Sequence, residues 1–116
     1  MSNDVTTEER SNLSSCGLAC NTNGIPVEKR TRYGQLVEAL LQAIDERREI
    51  RDGYSFRIDN GRFTTEQLVE WVNPERRCCP FFGFQIVWEP GIGPVWLHLT
   101  GPQGVKDFIL DEFGLR

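Results

Sequence analysis

An α+β fold follows from three features of the chain. Apolar residues recur with helical period in three segments and alternate with polar ones in three others, and 116 residues hold one hydrophobic core. The predicted order is helix, strand, helix, strand, strand, helix. A small three-stranded sheet, antiparallel or mixed, packed by helices is the architecture this order favours.

Residues 1–15 are dominated by Ser, Asn, Thr, Asp and Glu with no apolar period, so they are expected to form a disordered polar tail ahead of a single domain over 16–116. "SCGLACNTNGIP" is rich in Gly, Asn and small residues and reads as an irregular loop carrying Cys16 and Cys20. From about Val27 to Arg48 a helix is predicted, because Tyr33, Leu36, Val37, Leu40, Leu41 and Ile44 fall on one stripe. Tyr54, Phe56 and Ile58 then alternate with Ser55 and Arg57 in a strand closed by a turn at Asn60-Gly61.

Thr64 and Gln67 have the spacing of a capping box, which predicts a second helix running through Leu68 and Val72. Pro74 removes a helical hydrogen bond, so a kink or restart is expected there, and Pro80 forces the end at Cys79. Two strands follow around a Gly/Pro turn, with Phe84, Ile86 and Trp88 facing one way and Val95, Leu97 and Leu99 joining them. The opposite face carries Gln85, Val87, Trp96 and His98. Val87 beside Trp96 predicts that this face is covered by a helix or a second subunit, and hence a homodimer through Val87, Trp96 and His98. A last helix opens near Pro102 and buries Val105, Phe108, Ile109 and Phe113.

Composition narrows the function. Hydrophobic residues are 39% and charged residues 26%, with net charge -4 and no basic run, so neither nucleic acid nor an anionic membrane is an expected partner. The start of the chain lacks the apolar run of a signal peptide, which points to the cytoplasm. A reducing compartment turns the four cysteines into candidates for metal ligation, thiol redox work or burial, ahead of structural disulfides.

"PERRCCPFFGF", residues 74–84, places two of them side by side. Thiolates select soft cations, and two or three suffice for a linear or trigonal site of Zn, Cu or Hg. Neighbours on a helix lie about 100° apart, so Cys78 and Cys79 converge only with a bend at Pro80. Glu75 stands three and four residues before the pair, on their side of the helix, as a fourth ligand or a partner for Arg76 or Arg77. For redox work, the arginines favour a thiolate while the carbonyl end of the helix opposes it. Burial as small hydrophobes beside Phe81, Phe82 and Phe84 explains one cysteine well and two adjacent ones poorly.

Together with "CNTNGIP" upstream, "RDGYSFRI" and "VWLHLTGPQGVKDFI", the cysteine segment resembles a set of small uncharacterised bacterial proteins. These carry a Cys-Asn loop and an Arg-Cys-Cys-Pro-Phe motif and occur near heavy-metal resistance functions. The resemblance spans roughly residues 20–113. It implies a thiophilic metal site at Cys20, Cys78 and Cys79, with Glu75 in support and Cys16 outside the pattern, and a role in sequestering or delivering the ion. The alternatives are a homodimeric interaction module with structural cysteines, or a thiol redox protein.

No catalytic or organic-cofactor set is assigned. His98 is the one histidine, so a triad or histidine metal cluster must include it. "GPQGVKDF" lacks the spacing of a phosphate-binding loop. Asp107 and Asp111 lie one turn apart on what reads as a solvated face.

Overall fold

A computed structural model describes residues 22–116. Two short 3-10 turns, Thr22–Gly24 and Val27–Lys29, lead into α1 (Arg30–Ala43). Then come β1 (Ile44–Ile50), β2 (Gly53–Ile58), α2 (Thr65–Cys78), β3 (Gly83–Trp88), β4 (Val95–Thr100) and α3 (Val105–Glu112). The tail over 1–15 and most of the cysteine loop, including Cys16 and Cys20, lie outside the described residues.

The sheet has four strands in the order β1-β2-β4-β3, antiparallel throughout. Register explains its two faces. Phe56 pairs with Leu97, which pairs with Ile86; Tyr54, Leu99 and Phe84 form a second such row, and Ile58, Val95 and Trp88 a third. This face meets Leu36, Leu40 and Ala43 of α1, Leu68 and Trp71 of α2, and Val105 and Ile109 of α3 in one core. A Leu, Ile or Phe side chain buried this way contributes about 2 kcal/mol.

The sheet has one strand more than the sequence predicts, and α1 ends at Ala43 instead of near Arg48. The Glu and Arg residues of "DERRE" are good helix formers on the exposed side of an apolar stripe, so local propensity favours continuing the helix. Pairing with β2 overrides that propensity. Ile44 faces Ile58 and Ile50 faces Gly53 across the hairpin, and a register shift between Ile44 and Glu46 bends the strand at its start. Asp59 N–H donates to the Ala43 carbonyl at 2.8 Å, which fixes the point where helix gives way to strand.

α2 begins as predicted. Thr64 Oγ1 accepts from Gln67 N–H at 3.2 Å and Gln67 Oε1 accepts from Thr64 N–H at 2.9 Å, a complete capping box. α2 runs on through Pro74, so of the expected kink or restart the restart does not occur. The proline costs one backbone hydrogen bond, and buried side chains on both sides of it, Trp71 before and Glu75 and Cys78 after, hold the helix against the core. Among the described residues no helix is long and apolar enough to cross a membrane.

Gly53 is where β2 comes closest to β4. A Cβ built there stands 1.8 Å from the Leu99 carbonyl oxygen, a backbone atom that cannot swing away. Gly53→Ala is therefore expected to destabilise the fold by about 3 kcal/mol, read as a lowered midpoint in urea unfolding. An unchanged midpoint contradicts the close approach of these strands.

Candidate functional site

The inward stripe of α2 is Leu68, Trp71, Glu75 and Cys78, spaced with helical period. Three of these suit a core, and the fourth brings a carboxyl group with them. Glu75 is 1% exposed, and Cys78 and Cys79 are 2% and 0% exposed. Both cysteines face inward, which two successive helical residues cannot do. The resolution lies in the backbone of Cys79, which leaves the helix at φ -128° and ψ 73° while its N–H still donates to the Glu75 carbonyl at 2.8 Å. Pro80 enforces that departure.

Glu75 does not pair with Arg76 or Arg77. Its Oε1 accepts a 2.5 Å hydrogen bond from the hydroxyl of Tyr33, on the stripe of α1. Burial drives the Glu75 pKa up, with the charge of Glu112 adding to it, while Tyr33, Cys79 and Trp71 side chains lie against the carboxyl and pull the other way. Their proximity does not complete its hydrogen bonding. Among the described residues Glu75 Oε2 and Trp71 Nε1 lack a well-formed partner. Tyr33 is shifted upward as well, by burial first and then by the nearby Glu75 and cysteine charges.

Aromatic rings close the sheet side of the cluster. Phe82 lies edge-on to Phe84 and Phe108 and stacked on Phe113, and Phe84 meets Trp71 edge-on. On the α1 side, Tyr33 lines an open cavity of about 380 Å³ together with Ile25, Leu36, Pro74 and Arg77. Tyr33, half-buried, thus lines the cavity and also donates to the buried carboxyl.

The chain also returns to this place from upstream. Gly24, in the first 3-10 turn, lies against the last turn of α2 so closely that a Cβ would meet the Arg77 carbonyl oxygen at 2.8 Å. Glu75, Cys78 and Cys79 are all buried at this end of α2, and the third proposed sulfur, Cys20, falls outside the described residues. Among the described residues no three His, Cys, Asp or Glu side chains stand together as a metal site.

Tyr33 and Gly24 are the members of this site that the sequence reading missed. Tyr33 was legible only as one member of an apolar stripe, yet a phenol hydroxyl on such a stripe must find an acceptor when buried. Gly24 carried no signal beyond a loop composition.

On the outer sheet face, Trp96 is 9% exposed, and its cover is intramolecular: the Arg48 guanidinium sits 4.5 Å from the ring centroid. Arg57 bridges Asp45 at 2.6 Å beside it. His98 is half-buried between Ser55 and Gln85, and Val87 pairs with Trp96.

The raised Glu75 pKa fixes a sign. The folded carboxyl keeps its proton at pH values where the unfolded chain has lost it, so this residue's contribution falls as pH rises from the ordinary carboxylate range through the raised value. Glu75→Gln, neutral at every pH and still an acceptor for Tyr33, is expected to match the wild type in acid and gain on it as pH rises. Urea unfolding across that range checks this, and parallel pH profiles refute it. Tyr33→Phe, which leaves Oε1 without its donor, is expected to cost about 1–3 kcal/mol. The chain matches no protein-family model, no curated protein and no solved structure, so the chemistry of these side chains is what its function must be argued from.

Proposed function

We propose that the protein binds a thiophilic metal ion through the sulfurs of Cys78 and Cys79 with Cys20 as third donor, in the service of sequestering or delivering the ion. The observation that carries this reading is the burial of two adjacent cysteines where the helix ends. Packing alone needs no second thiol at such a position, whereas a two- or three-coordinate soft cation does. Two sulfurs leave room for a third ligand.

Chain geometry supplies a candidate. Gly24 is held against Arg77, one residue before the pair, and four residues of fully extended chain reach roughly 14 Å. Cys20 precedes Gly24 by four residues in the sequence, which makes it the third donor we propose. Glu75 supports the site from beneath as an acceptor already engaged by Tyr33, and the oxygen that lacks a partner is the one it has left for an ion or a thiol proton. The surrounding phenylalanines restrict access of water and oxidants.

The test is native mass spectrometry of the reduced protein with Zn(II), Cu(I) and Hg(II). A one-to-one adduct is expected with at least one of the three, absent from Cys78→Ser/Cys79→Ser. Loss of an outer-shell partner alone costs about 10–100-fold in affinity, so Cys20→Ser is expected to weaken the complex by no less than that. A folded wild type that takes up none of the three ions ends the metal reading.

A further inference from the structure

The two edges of the sheet differ in how they are protected. β1 carries Asp45, Glu46, Arg47, Arg48 and Glu49 in succession and a register shift at its start, the charges and bulge that discourage edge-to-edge pairing. β3, "GFQIVW", has no charge, no proline and an unbroken register with β4. Its one pairing among the described residues is to β4, so its other row of backbone donors and acceptors stands at the sheet margin. Trp88, at the end of the strand, remains 50% exposed although its Nε1 donates to Thr65 at 3.0 Å.

We infer that two copies of the chain associate through antiparallel pairing of their β3 edges about a two-fold axis. The strand is self-complementary in that arrangement. With the axis at Ile86, Phe84 of one copy faces Trp88 of the second, Gln85 faces Val87, and Ile86 faces its own counterpart. The exposed indole then covers a half-buried phenyl ring, twice by symmetry, and no charged side chain of either strand enters the pairing. A second copy is favoured over a foreign strand because one six-residue segment supplies both halves of every contact. The broad outer face is a poorer candidate, since Arg48 already covers Trp96. A single strand pair lies at the small end of stable interfaces, so the dimer is expected to be reversible.

Sedimentation equilibrium of the full chain from micromolar to near-millimolar concentration tests this. The wild type and Ile92→Lys, at the fully exposed tip of the β3-β4 hairpin, are expected to double in mass as concentration rises. Gln85→Lys/Val87→Lys, which sets lysine against lysine across the axis, is expected to remain monomeric, with circular dichroism confirming its fold. Gln85→Lys alone changes an exposed position and is expected to raise the dissociation constant several-fold with the fold intact. A wild type that stays monomeric throughout, lysine variants that dimerise like it, or an Ile92→Lys that dissociates as they do, each overturns the proposal.

Discussion

Taking a carboxyl group out of water is among the more expensive events in folding, and the placement of Glu75 organises the structure around it. The helical period that buries Leu68, Trp71 and Cys78 carries Glu75 in with them. Its cost is offset in two ways, by the Tyr33 hydroxyl donated from α1 and by a pKa that burial raises, which favours the neutral form of the group. α1 is thereby tied to α2 by a polar contact with one geometry, where apolar stripes alone tolerate sliding. That contact fixes the end of α2, and with it the positions of both cysteines.

Much of the helical architecture was legible in the sequence, because the signals were local. Thr64 and Gln67 announce the start of α2 by their spacing, and Tyr54, Phe56 and Ile58 alternate in a way that only a half-buried strand explains. β1 was not legible for the opposite reason. Its middle is five charged residues whose intrinsic preference is helical, and what makes them a strand is the partner at Phe56 and Ser55, whose pairing is set by the turn after Ile50. At Pro74 the sequence overstated a local penalty, since the packing of Trp71 and Glu75 across it outweighs one missing hydrogen bond.

The missed strand also changes what covers Trp96 on the outer sheet face. With a helix in place of β1, nothing in the chain covers Trp96, and a second subunit becomes the natural occupant. With β1 in place, Arg48 extends from the neighbouring edge across β2 and lays its guanidinium on the indole, while Asp45 and Glu46 hold Arg57 alongside. The charges that disguised the strand as helix are the ones that cover Trp96 and hold Arg57. They also blunt that edge of the sheet, which leaves β3 as the margin without such protection.

The cysteine pair sits where these constraints meet. A helix that stopped before Cys78 would leave its thiol unburied, and one that continued through Cys79 would turn that thiol roughly 100° away from its neighbour. Pro80 ends the helix between these alternatives, and with the non-helical backbone of Cys79 both side chains are buried. Both side chains count as part of the hydrophobic core, so their burial contributes to packing whatever else they do. Gly24, pressed against Arg77, brings the first 3-10 turn to the same helix end.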